Sequence, residues 1–200
     1  MKVYPNIFSN NPVDRVSDLR SDPSWVEKTL NSEKTMICLF WRGKAFISKH
    51  KSIILDNSNP EQSNPAWFPL DFFKGQISDT DILVFIGLIE DRAFFALDVS
   101  RHTNPEEVLN LATLGEFEDL MVLAPQAINS GELAMLGQAK AIFEWNKSHK
   151  FCSKCGSPAK KNISGCRVTC SNDKCGMIFY PPTSPVGIAL VASTDYSQVL

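Results

Sequence analysis

No stretch of the chain approaches the roughly eighteen uninterrupted apolar residues of a membrane-spanning helix, and the N-terminal MKVYPNIFSNNPVDR lacks the apolar segment of a secretory signal. The expectation is a soluble, cytoplasmic protein without a membrane partner. Charge of one sign is missing too. A formal net charge of -2 over 200 residues is too small a field for wholesale attraction to nucleic acid, so any such preference has to be local. No internal repeat or low-complexity tract occurs, which argues against a solenoid or array.

What is present suffices for one sizeable domain and a small appendage, with 44% hydrophobic residues to build a core. Between Pro12 and Asn31 the helix-start residues Asp14, Ser21 and Asp22, with Val13, Val16 and Leu19 at near-helical spacing, predict one or two short helices. Thr35 to Trp41, Lys44 to Ile47 and Ser52 to Leu55 read as strands joined by tight turns, whereas Asp56 to Pro69, rich in Asn, Ser and Pro, reads as a surface loop. Ile82 to Ile89 and Arg92 to Val99 flank Glu90-Asp91 as a hairpin, giving a sheet of about five strands. A short helix should follow Asn104-Pro105, and a longer one should start at a capping box of Asn129 and Glu132 and run to about Ser148.

Of six cysteines, Cys38 stands alone in an apolar run and reads as a small buried hydrophobe, while the other five fall between Cys152 and Cys175. Such clustering without an export signal points to metal rather than to disulfides, an oxidised or redox-sensing thiol group being the bland alternative. Cys152-x2-Cys155 and Cys170-x4-Cys175, fourteen residues apart, can present four thiolates in a tetrahedron, with Gly156 and Gly176 supplying the turns. Four thiolates leave no open coordination position, so one structural zinc per chain is expected. Cys166-x3-Cys170 is an alternative second pair; Ser171, Asn172 and Asp173 make the more natural turn, and Arg167-Val168-Thr169 reads as a strand.

From Lys147 to Cys175 seven lysines and arginines face the single acid Asp173, so this segment stays basic even beside a zinc tetrathiolate. It either holds a polyanion or merely offsets the thiolates and keeps a small unit soluble. His149 is an anion contact, an outer partner of the metal site, or a solvated histidine at a helix end.

The run AKAIFEWNKSHKFCSKCGSPAKK followed by CSNDKCGMIFYPPTSPVGIALV closely resembles the join between zinc ribbon and hydrolase domain in NAD(H) diphosphatases of the Nudix family, and NPVDRVSDLRSDPSW and FALDVS resemble their N-terminal domain. The resemblance implies an α+β fold: an N-terminal mixed antiparallel-sheet domain with flanking helices over 1–128, a connecting helix over 129–150, a four-cysteine zinc ribbon over 151–180, and over 181–200 the first strand of a Nudix domain. It also implies hydrolysis of the pyrophosphate of NADH or NAD+ to nicotinamide mononucleotide and AMP, removal of NAD caps from RNA in some members, a homodimer, and Mg2+ or Mn2+ in the catalytic domain. By the same resemblance Tyr180 matches an aromatic that stacks on a base of the dinucleotide, against the alternative of a residue packing two domains together.

The family's Gly-x5-Glu-x7-Arg-Glu-aliphatic-x-Glu-Glu-x-Gly motif occurs nowhere in these residues. Neither Gly115-Glu116-Phe117-Glu118-Asp119 nor Glu106-Glu107 reproduces it, so no catalytic residue is assigned. Asn162-Ile163-Ser164-Gly165 likewise carries no acid where relatives often have a ligand-binding one. Val186 to Ser193 reads as a strand without partners, and the expectation is a fragment of a longer hydrolase, inactive alone. The alternative is a non-catalytic zinc-ribbon module binding RNA or a protein partner.

Overall fold

The computed structural model describes residues 6–48, 64–73, 75–78, 81–125, 130–184, 187–195 and 197–198. Helix α1 spans Pro23–Leu30, with Asp22 as N-cap and proline in the first turn. The expected helix over Val13, Val16 and Leu19 is not formed. There Asp14 and Leu88 exchange backbone hydrogen bonds of 2.8 Å, so this segment completes the edge of a strand. Gly87 makes the approach possible, because a Cβ there would lie 2.6 Å from the Asp14 carbonyl oxygen.

Strands β1 (Met36–Trp41) and β2 (Lys44–Ser48) form a hairpin. Its two-residue turn has Arg42 at φ 51° and Gly43 at φ 82°, the left-handed pair that matches strand twist. Ser52 to Leu55 lies outside the described residues. Within the expected loop the described part is more regular than its prolines suggest: β3 (Asn64–Pro65) pairs with β2, and β4 (Phe68–Pro69) pairs with β1 before a 3-10 turn at Leu70–Phe73. Both elements are only two residues long, which is how prolines are accommodated in a sheet.

The expected hairpin is present as β5 (Ile82–Ile89) and β6 (Arg92–Asp98), with a bulge between Phe85 and Gly87. Helix α2 (Pro105–Val108) follows, then β7 (Gly115–Glu118), which pairs with β2 and was not foreseen. Among the described residues the sheet thus has seven strands rather than about five, in the order β3-β2-β1-β6-β5 with β4 on β1 and β7 on β2. Among the described strands β1 and β6 are the one parallel pair.

Helix α3 (Leu120–Leu123) leads towards α4 (Ser130–Ser148). Asn129 of the expected capping box lies outside the described residues, and Glu132 turns inward, where its carboxylate accepts from the Trp67 indole at 3.1 Å. Alternation along β1 explains its unbroken apolar run. Cys38 and Phe40 point to the face covered by Leu136, Ala139 and Phe143 of α4, while Ile37 and Leu39 point to the other face, with Val26 of α1 and Leu111.

Beyond α4, strands β8 (Ala159–Lys161), β9 (Val168–Cys170) and β10 (Ile178–Phe179) make a separate three-stranded antiparallel sheet. Of Val186 to Ser193, read as a strand from sequence, Val186 lies outside the described residues, 187–191 form no strand, and Ala192 makes a single bridge. Ile188 is 97% exposed, and among the described residues no strand lies alongside to pair with it.

Candidate metal centre

The first turn begins as soon as the chain leaves α4. Cys152 N–H donates to Ser157 O at 2.7 Å and Gly156 N–H returns to Cys152 O at 2.9 Å. Gly156 sits at φ 74°, a conformation that side chains resist, with open space where a Cβ would be. The second turn repeats the device: Cys175 and Gly176 both donate to Asn172 O, at 2.8 and 2.9 Å. Pairing of Ala159 with Cys170 across β8 and β9 brings the two turns face to face.

The result is a group of four sulfurs, Cys152, Cys155, Cys170 and Cys175, all within 4.8 Å of one another. Cys155 lies 3.4 Å from Cys170, and Cys152 lies 3.8 Å from Cys175. A tetrahedral zinc with bonds of about 2.3 Å implies sulfur separations of about 3.8 Å, so the four thiols fit a zinc ion with small adjustments. The Asn172 amide, 3.4 Å from Cys170 Sγ, supplies the outer hydrogen bond such sites use to orient a ligand.

The thiols are already electrostatically unequal. Hydrogen bonds from the Ser157 hydroxyl and amide hold the Cys155 thiol down at about 6. At Cys170 the Asn172 amide favours the thiolate, but desolvation and three neighbouring thiols push the group up to about 12. Shared protons of this kind are what a divalent ion displaces on binding.

Cys166 is not in the cage. Its buried sulfur lies 3.4 Å from Ser164 O and 3.8 Å from Phe85 O, and burial pushes its thiol pKa up. Its place is the junction with the larger sheet, where Phe85 N–H donates to Ser164 O at 2.9 Å and Asn146 Nδ2 donates to Gly165 O at 2.8 Å. Sequence reasoning missed this junction. The one local signal was Gly165 itself, at φ 70°, where a Cβ would lie 2.6 Å from Leu83 O.

Tyr180 follows β10 and is 61% exposed. His149 lies outside the cage, its ring nitrogen Nδ1 held 2.8 Å from Trp145 O at the end of α4. Glu116 and Glu118 are strand residues of β7, and Glu106 and Glu107 belong to α2; among the described residues the four cysteines are the one group of metal-ligating side chains brought together. No helix of the described residues is long and apolar enough to cross a membrane.

Comparison with known proteins adds relatives to this geometry. The family model described as an NADH pyrophosphatase-like rudimentary NUDIX domain matches residues 34–145. Mouse NAD(P)H pyrophosphatase NUDT13, mitochondrial, is 35% identical over 117 residues, which cover 54% of this chain and 32% of the relative. Nudix hydrolase 19, chloroplastic, from Arabidopsis thaliana is 27% identical across 100% of this chain and 51% of its own length. NAD-capped RNA hydrolase NPY1 of Saccharomyces cerevisiae is 25% identical across 99% of this chain and 62% of its own. The chain therefore spans from about a third to about three fifths of these relatives.

Proposed function

The chain belongs to the family of NADH pyrophosphatase-like rudimentary NUDIX domains, and from that premise we propose that it is the sheet domain and zinc ribbon of an NAD(H) diphosphatase. The reaction is hydrolysis of the pyrophosphate bond of NADH or NAD+ to nicotinamide mononucleotide and AMP, extending to NAD caps on RNA. Relatives named as NAD(P)H pyrophosphatase and as NAD-capped RNA hydrolase support both substrates. The observation that carries the reading is the cage of four sulfurs directly preceding an exposed tyrosine.

In this reading Cys152, Cys155, Cys170 and Cys175 hold one structural zinc, which orders the ribbon and takes no part in bond cleavage. Tyr180 stacks its ring on a base of the dinucleotide, a contact that gains flat area at little entropic cost. Phosphoanhydride cleavage itself calls for Mg2+ or Mn2+ to stabilise developing charge and activate water. The glutamate motif that would hold those ions is not among these 200 residues. The working form is a cytoplasmic homodimer.

Native mass spectrometry with metal analysis tests the cage and the subunit number together, with one zinc per chain expected. Incubation of the 200 residues with NADH and Mg2+ or Mn2+ should yield no reduced nicotinamide mononucleotide; clear formation of that product would overturn the division of labour. In a longer chain carrying the glutamate motif, Tyr180→Ala should raise KM for NADH about tenfold while leaving stability within about 0.5 kcal/mol, as for an exposed side chain.

A second reading, a ribbon that binds RNA or a protein partner without catalysis, draws on the seven basic residues against one acid from Lys147 to Cys175. An RNA affinity that falls steeply with salt, for a chain without NADH turnover at any length, would favour it.

A further inference from the structure

Accessibility divides the four thiols of the cage into two kinds. Cys155 is exposed and Cys175 is half-buried, whereas Cys152 and Cys170 are 2% and 6% exposed. The close contacts join one of each kind: Cys155 Sγ lies 3.4 Å from Cys170 Sγ, and Cys175 Sγ lies 3.8 Å from Cys152 Sγ. Each reachable sulfur thus has a buried one in contact behind it.

Both pairs also cross between the two turns rather than close within one. Cys152 and Cys155 belong to the first turn and Cys170 and Cys175 to the second, and the pairing of Ala159 with Cys170 holds the turns opposite each other. Asn172 serves the first pair from both ends. Its side-chain amide lies 3.9 Å from Cys155 Sγ and its backbone amide 3.4 Å from Cys170 Sγ. Three connectivities are open to four cysteines, and this geometry favours one.

The remaining two thiols are shielded. Cys38 is fully buried in the larger sheet and Cys166 is 7% exposed at the junction, and burial pushes both thiols up, away from the reactive thiolate. Ligands of zinc, by contrast, are held as thiolates, the form that attacks an oxidant. An oxidant reaching this chain therefore meets its reactive sulfur at the cage and not at Cys38 or Cys166.

We propose that the cage is a peroxide-sensitive modification site, in which hydrogen peroxide joins Cys155 to Cys170 and Cys175 to Cys152 and zinc is released. The inference rests on the zinc reading of the four thiols and is independent of the substrate. In each pair the more accessible thiolate attacks the peroxide, the O–O bond breaks, and a sulfenic acid and hydroxide form. The buried thiolate then attacks that sulfur. The S–S bond forms, the S–O bond breaks, and the oxygen takes a proton from solvent and leaves as water. Each pair of sulfurs gives up two electrons and one peroxide accepts them, so two peroxides consume all four thiolates and leave no ligand to hold the ion.

The test is peroxide titration of the zinc-loaded 200-residue chain, read by a zinc-responsive dye, by intact mass and by disulfide mapping. Release of zinc about tenfold or more faster than without peroxide is expected, with two peroxides consumed per zinc. The mapped bonds should be Cys155 to Cys170 and Cys152 to Cys175. Trapping with dimedone should mark Cys155 or Cys175 first, and dithiothreitol with added zinc should restore the loaded chain. Zinc retained under about a tenfold molar excess of peroxide overturns the proposal, as does any other connectivity, Cys152 with Cys155 included. A first dimedone adduct on a buried sulfur, or oxidation that dithiothreitol does not reverse, overturns it too. Metal content before peroxide is added separates this inference from the reading beneath it. A chain that takes up no zinc fails that reading and the proposal with it, whereas a loaded chain that keeps its metal fails the proposal alone.

Discussion

Among the described residues, the twelve largest fully buried side chains all lie between Ile37 and Phe143, eight of them aromatic. Between Phe151 and Tyr180 the buried hydrophobic residues are Cys152, Cys166, Val168 and Cys170, a single aliphatic side chain and three thiols. At about 2 kcal/mol for each large apolar side chain buried, the first region can order itself by exclusion of water and the second cannot. The order of the ribbon has to come from metal–thiolate bonds and from the junction with its neighbour.

Removing the metal is the sharpest way to break that comparison. Apparent zinc-binding free energies in small cysteine sites reach roughly 10 kcal/mol or more, so chelation or Cys152→Ser should leave 151–179 without hydrogen-exchange protection while β5 and β6 keep theirs. A ribbon that remains protected without metal would refute the contrast. The converse experiment, Phe94→Ala, empties a fully buried position in the larger sheet and should cost about 3–5 kcal/mol in urea unfolding with zinc content intact.

The junction supplies a smaller effect with more information. At Gly165 an alanine must adopt φ 70° and place its Cβ 2.6 Å from Leu83 O, so Gly165→Ala should cost about 1–3 kcal/mol. Zinc should still bind. The expected signature is loss of exchange protection at the Phe85 amide, which donates to Ser164 O across the junction. Unchanged protection there would mean that the two regions are ordered independently.

How far the sequence revealed these two regions follows from the same difference. The paired thiols of the ribbon are read from spacing, because two short turns and a hairpin leave few ways to arrange them. Strands β1, β2, β5 and β6 are legible because both faces of the larger sheet are covered, which makes their apolar runs continuous. β7 is harder. Phe117 is buried between Glu116 and Glu118, a period-two pattern too short to stand out from a loop. Val13, Val16 and Leu19 misled for the opposite reason: their spacing suits a helix, but the edge of β5 offers Asp14 backbone partners that no local pattern records. The parallel pairing of β1 with β6 and the docking of Ser164 on Phe85 are contacts between distant segments, and neither leaves a mark in spacing.

The smallest expected effect tests whether exposed polar contacts matter in the region that apolar burial already secures. Asp119 caps α3 by accepting from the Met121 amide at 2.8 Å, and its other oxygen meets Lys140 of α4 at 3.2 Å. The Met121 amide, and after it Lys140, hold its carboxyl below the ordinary 3.8. With the folded pKa depressed, the stabilisation is present above the unfolded value and lost as pH falls through the folded one, that is, below about 4. The side chain is 38% exposed, so solvent screening keeps the effect small. Asp119→Ala should cost about 0.5–1 kcal/mol at neutral pH, as for loss of a helix cap. Asp119→Asn keeps the acceptor and loses the charge, so its cost should be smaller and its stability flatter with pH below about 4. Identical acid unfolding of Asp119→Asn and the unaltered chain would remove the carboxylate from the account and leave the sheet region dependent on its apolar core alone.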